Sequence, residues 1–267
     1  MDINIRENMS DSHFHIMEMI RKGLEPESVF EALKNAGAGY LLDAGVILDD
    51  FEERLVWKKN YEKLFFAAGI HPNIPAEQWP ENYETTLETQ ITHPLVKAVG
   101  ETGLDFFREF SSLEDQYRLL NLHYKLAGLS DKPLIFHIRN AEAEMQEWIS
   151  ARDFPMGAVL HCFPGDLSLA ETALEKGFYI SFAGNVTFKN AQPLRDALQI
   201  IPLERLLIET DAPYLAPHPK RGRNNHPGLI GYSYECIASE KKISLQQLTE
   251  TVDTNLKNLL RIQASLP

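Results

Sequence analysis

Eight times along the chain a short apolar run ends in Gly, Pro or a polar residue and gives way to an amphipathic stretch, and this alternation restricts the fold more than any other feature. The runs lie near 8–13, then at Gly39–Asp43, Leu64–Gly69, Leu95–Glu101, Pro133–His137, Gly157–His161, Phe178–Phe182 and Arg205–Asp211. Helical spacing fills 26–37, 48–63, 75–91, 111–129, 141–152, 166–176 and 191–200, and continues at 229–241 and 245–262. Ser111 with Glu114 has the pattern of a capping box, and Ser244 stands in the same position before its own run. Strand-then-helix punctuation repeated eight times in 267 residues predicts one α/β domain over 1–267, a TIM-like (β/α)8 barrel. An open doubly wound sheet is the runner-up, because strand count alone does not prove closure.

Composition removes several classes of function. With 26 Lys and Arg against 38 Asp and Glu, the formal charge is −12, so no global basic field draws the chain to nucleic acid or an anionic membrane. A polyanionic partner must be held locally. Only Cys162 and Cys236 are present, far apart, which argues against a disulfide framework and against a thiolate metal cage. A reducing cytoplasm is the expected compartment. The first residues are too polar for a signal segment, and no apolar run approaches the roughly 20 residues of a membrane span.

In a barrel of this type, functional residues come from the C-terminal ends of strands and the loops that follow. His13 and His15 end the first run, and in an extended strand they share a face while Phe14 takes the opposite one. His71 follows the third run, Glu101 ends the fourth, His137 the fifth, His161 the sixth and Asp211 the eighth. Taken singly, each reads as a satisfied imidazole, a turn former or a helix cap. Together they require repeated coincidence, because a carboxylate facing into an apolar barrel is unstable unless a cation or donor compensates it. His13, His15, His137 and His161 with Glu101 and Asp211 therefore read as a metal shell suited to Zn²⁺, Mn²⁺, Ni²⁺ or Co²⁺, and Mg²⁺ fits an open position.

The motifs Asp11-Ser-His-Phe-His15, Gly69-Ile-His-Pro72, Gly100-Glu-Thr-Gly-Leu-Asp105, His137-Ile-Arg139, His161-Cys-Phe-Pro-Gly165 and Glu209-Thr-Asp-Ala-Pro-Tyr-Leu-Ala-Pro217 closely resemble those of the TatD family of metal-dependent hydrolases, within the amidohydrolase superfamily. The resemblance implies a TIM-like barrel holding two divalent metal ions. It assigns His13, His15 and Asp211 to the first, His137 and His161 to the second, and Glu101 to a bridge between them. It also implies hydrolysis of phosphodiester bonds, with deoxyribonuclease activity as the specific form. Two departures stand out. Where the family commonly carries an Arg-Asn-Glu-Pro-like element, this chain has Arg221-Gly-Arg-Asn-Asn-His-Pro227, without the Glu, and several extra residues precede the first His.

Hydroxide from a metal-activated water is the expected nucleophile, with Asp211 as its general base. His71 is placed to donate to a substrate oxygen or leaving group, or else is a satisfied loop imidazole. Arg139 is suited to a phosphate, or else pairs with Asp105 or Glu142. Lys189, Lys220, Arg221 and Arg223 follow the last two runs, where barrels commonly bind phosphate, although such clusters are usually solvated loops. Phe106, Phe107 and Tyr214 are placed to stack on a base or to cap the core. Cys162 is expected to point toward the helical layer as core packing, and Cys236 has no catalytic neighbour in sequence. The partner is DNA or a small phosphoester, ester or amide, with a non-catalytic metal-binding scaffold as the remaining class. Substrate, native metal, cleavage polarity and oligomeric state are left open by the sequence.

Overall fold

The computed structural model describes residues 2–108 and 110–262. All eight expected runs form strands: β1 (Asp11–Phe14), β2 (Leu41–Asp43), β3 (Leu64–Ala68), β4 (Val96–Asp105), β5 (Leu134–Arg139), β6 (Ala158–Leu160), β7 (Tyr179–Phe182) and β8 (Leu206–Ile208). They join in sequence order in one sheet, and every neighbouring pair is parallel. A bridge from Phe14 to Ala212, next to a hydrogen bond from Asp211 N to His13 O at 3.0 Å, brings the last strand back to the first. That closure and the unbroken strand order make the sheet a nearly closed barrel and remove the doubly wound alternative.

The helices are α1 (Ile16–Arg21), α2 (Pro26–Asn35), α3 (Phe51–Leu55), α4 (Tyr83–Thr92), α5 (Leu113–Ser130), α6 (Glu142–Ser150), α7 (Leu167–Glu175), α8 (Gln192–Ile200), α9 (Gly231–Lys241) and α10 (Leu245–Leu259). Both faces of the sheet are buried, which explains why the strands are continuous apolar runs such as Leu134-Ile-Phe136 rather than alternating ones. Three expected elements differ in detail. The 75–91 stretch splits because Pro80 holds Trp79 extended, at φ −80° and ψ 139°, so that α4 starts only at Tyr83. The 48–63 stretch is α3 followed by a 3₁₀ turn over Val56–Lys59. The cap of α5 is Ser112, whose hydroxyl accepts from Asp115 N at 3.1 Å, one residue later than expected, whereas Ser244 caps α10 by accepting from Gln247 N at 3.1 Å.

The fourth strand is the largest departure, running on to Asp105 instead of stopping at Glu101. Its pairing with β5 shifts between Val99 and Thr102, an irregularity of the kind that re-aims side chains. Gly103, at φ +145°, lies so close to His137 that a Cβ there would strike that residue's carbonyl oxygen. Glycine at this point lets β4 pass β5 closely enough to set Glu101 against His137.

Candidate metal centre

Local chain geometry aims the ligand-type side chains at one point above the barrel. His13 lies within β1 and His15 immediately after it, with their Nε2 atoms 3.2 Å apart. Glu101 sits between two groups of imidazoles. Its Oε2 faces His13 Nε2 at 3.3 Å and His15 Nε2 at 3.6 Å, while its Oε1 faces His137 Nδ1 and His161 Nε2, both at 2.7 Å. Asp211, in the left-handed backbone region at φ 53°, places Oδ1 3.5 Å from His15 Nε2. All six expected ligands are thus brought together, with His71 beside them, in three overlapping sets: His13, His15 and Asp211; His13, Glu101 and His161; and Glu101, His137 and His71.

The donor set fits divalent cations. Glu101 is 1% exposed, yet its Oε2 has no hydrogen-bond partner, an arrangement that a buried carboxylate tolerates when a cation faces it. Outer atoms of three imidazoles are held by acceptors: His15 Nδ1 by Ala44 O at 3.0 Å, His161 Nδ1 by Glu209 Oε1 at 3.1 Å, and His137 Nε2 by Asp105 Oδ2 at 3.2 Å. Each of these contacts fixes an N–H outward and leaves the other nitrogen's lone pair facing inward, as a metal ligand requires.

His71 is arranged the other way round. Its Nδ1 accepts the backbone N–H of Asn73 at 3.0 Å, which puts the ring proton on Nε2, and that atom faces Glu101 Oε1 at 3.5 Å. Burial drives its pKa down to about 3, and repulsion from His137 and His15 adds to this against the pull of Glu101. His71 is therefore a neutral N–H donor at the mouth.

The electrostatics of the rest follow from crowding. Burial opposes charge on Glu101, but His161, His71 and His13 outweigh it and hold the carboxyl well below the usual range. Asp211 is likewise lowered against its burial, by His15 first and then by His161 and His13. Burial also opposes charge on His15, yet Asp211 and Glu101 lift it to about 9. Burial and the neighbouring His161 lower His13 instead.

Several expectations at the rim change. The Arg139 guanidinium pairs with neither Asp105 nor Glu142 and lies over the Phe107 ring, 3.9 Å from its centroid. Lys220 and Arg223 are not left to face solvent alone, because Asp2 takes both, at 2.9 and 3.2 Å, and Arg221 lies over Phe188 at 4.5 Å. Cys162 does not join the core. A left-handed turn at φ 43° takes it out of strand alternation, its N–H donates to Glu209 Oε1 at 2.8 Å, and burial with nearby Asp211, Glu209 and Glu101 pushes its thiol pKa up. Asn225, in the loop that lacks the family's Glu, is buried and donates to Thr210 O at 2.8 Å and Tyr214 O at 2.7 Å, so it pins the turn that carries Asp211.

Residue 10 through residue 261 match the family described as TatD related DNase. The chain belongs to the TatD family. Within it, this chain is 34% identical over 259 residues to the uncharacterized metal-dependent hydrolase YcfH of Escherichia coli K12, covering 96% of each. It is 35% identical over 247 residues to a protein of Edwardsiella piscicida named 3'-5' ssDNA/RNA exonuclease TatD, covering 89% of this chain and 93% of that one. The crystal structure of YJJV, a TatD homolog from Escherichia coli K12, superposes with a TM-score of 0.88 at 27% identity, over 96% of this chain and 99% of that one. The protein is thus a TatD-family metal-dependent hydrolase. Among the described residues no helix is long and apolar enough to cross a membrane.

Sequence reasoning passed over three carboxylates of this TatD-family site. Asp105 and Glu209 hold His137 and His161, while Asp11 accepts from His13 N at 3.2 Å and from Thr210 N at 3.0 Å. Parity was the available signal: Asp11, Asp105 and Glu209 each stand an even number of positions from His13, Glu101 and Asp211, the spacing that a regular strand would set on one side.

Proposed function

We propose that this protein hydrolyses phosphodiester bonds in single-stranded nucleic acid, as a deoxyribonuclease, with two divalent cations. The observation that carries the reading is Glu101, whose two carboxylate oxygens face separate imidazole groups, His13 with His15 and His137 with His161. The first group with Asp211 and the second with Glu101 would hold one cation each. When bound, such a pair supplies Lewis acidity toward a phosphoryl oxygen and toward the attacking water. Asp211, ionised and beside His15, accepts the proton of that water. His71 donates its Nε2–H to a non-bridging or leaving oxygen as a neutral hydrogen-bond donor, and Arg139 orients the phosphate from the rim. The name of the Edwardsiella relative supports a nucleic-acid substrate.

A second reading, hydrolysis of a small phosphoester, is favoured by the charge of −12 and by Asp2, which neutralises Lys220 and Arg223. The deciding experiment is hydrolysis of a labelled single-stranded DNA after chelation and re-addition of Mg²⁺, Mn²⁺, Zn²⁺, Ni²⁺ or Co²⁺, with wild type and Asp211→Asn compared at rising salt. Activity restored by metal, lowered about 10²- to 10⁴-fold in the variant and weakened by salt supports the nuclease. Bound metal without cleavage at any ionic strength transfers the same site to small substrates.

A further inference from the structure

Two exposed aromatic rings flank the ligand cluster, and each carries a cation on one face. Phe107 is 57% exposed, with Arg139 stacked on it. It is built onto the site through Asp105, whose Oδ1 accepts Phe107 N at 2.9 Å while Oδ2 holds His137. Tyr214 is 37% exposed and stands edge-on to His15, 6.3 Å between ring centroids, with Lys22 Nζ 4.1 Å over its face. Its hydroxyl donates to Glu18 Oε2 at 3.0 Å, which fixes the plane of the ring.

Scattered apolar side chains on a surface need no explanation, but these two are held in place and each is coupled to a ligand imidazole. A ring with a free face accepts a nucleobase, and an ammonium or guanidinium beside it meets the phosphate of the same nucleotide. A duplex hides its base faces, so the strand must be unpaired. We propose that bases of single-stranded nucleic acid stack on Phe107 and Tyr214, with Arg139 and Lys22 taking phosphates on the two sides of the ligand cluster. The inference rests on the nucleic-acid reading above and adds the contact that distinguishes a nucleotide from a bare phosphodiester.

The test separates bases from charge. Binding of a labelled phosphorothioate oligothymidylate, which resists hydrolysis, is compared with that of an abasic phosphorothioate strand of equal length, both to Mg²⁺-loaded protein. The two strands carry the same charge, so the electrostatic contribution cancels. The abasic strand should bind at least about 5-fold more weakly, and about 5- to 150-fold per stacked base is the range for such contacts. The gap should close in the Phe107→Leu/Tyr214→Leu double variant, and a 2-aminopurine in the strand should be quenched by wild type and not by the variant. Thermal unfolding checks that the variant folds, and the single variants replace it if it does not. Equal binding of the two strands by wild type, or an undiminished gap in the variant, overturns the proposal. Cleavage of ordinary DNA alongside equal binding would leave the nuclease standing without stacking, whereas base-dependent binding without cleavage would do the reverse.

Discussion

At the scale of single residues, the centre depends on which nitrogen of each imidazole faces inward, and that is decided by atoms outside the ligand set. Glu209 is fully buried and accepts both His161 Nδ1–H and Cys162 N–H on one oxygen. Its charge raises the basicity of His161 Nε2 and locks the tautomer. Replacement Glu209→Gln should lower divalent-metal affinity about 10- to 100-fold in a calorimetric titration, with the backbone fold retained. Unchanged affinity would mean that Glu209 only braces the turn at Cys162. The same logic separates His71 from its neighbours, since its Nδ1 is spent on Asn73 N and no lone pair is left for a cation. Neither distinction is visible in a string of residue types, where all five mouth histidines look alike.

At the scale of elements, the barrel is tied together by buried polar contacts that the apolar periodicity does not announce. Arg54 of α3 is 2% exposed and donates to Asp43 Oδ2 at 2.6 Å, to Asp43 O at 2.9 Å and to Ala67 O at 2.8 Å, linking β2 to β3. The other oxygen of Asp43 accepts Ile16 N at 2.7 Å, directly after His15. Arg54→Met should therefore destabilise the fold by about 3–5 kcal/mol in urea unfolding, because it strands a buried carboxylate. A loss below about 1 kcal/mol would show that the contacts of Arg54 with Asp43 and Ala67 O do not hold β2 and β3 together. The N-terminal extension also acts as an element: Asn4 N donates to Gly228 O at 2.7 Å, Gly231 N donates to Asn4 O at 2.8 Å, and Arg6 pairs with Glu235 at 3.0 Å. It straps α9 and the preceding loop to the base of β1, a use for residues to which no role attaches in sequence.

At the scale of the whole molecule, cation binding and stability are linked, since the site is assembled from β1, β4, β5 and the turns after β1, β6 and β8 and exists only in the folded chain. Metal at about 100 times its Kd should add about 2.7 kcal/mol and raise Tm by about 5–10 °C in a calorimetric scan, and chelation should reverse it. The effect should grow with pH. His15 has its pKa raised to about 9 in the metal-free fold, so its contribution to metal-free stability is complete below the unfolded value of 6.5 and is lost as pH rises through about 9. A cation held by His15 would have to displace that proton, so affinity should climb over the same interval; a shift in Tm that shrinks between pH 7 and pH 9 would contradict this. The sequence by itself determined eight strand–helix repeats, and the imidazoles and carboxylates that gather at one end of the barrel, because apolar periodicity and residue chemistry are local properties. Only the tertiary structure decided that β4 runs on past Glu101, that Asp105 and Glu209 orient His137 and His161, that Arg139 stacks on Phe107, and that Asp2 occupies Lys220 and Arg223. These pairings join residues up to 221 positions apart, and they follow from how the closed barrel brings loop ends together.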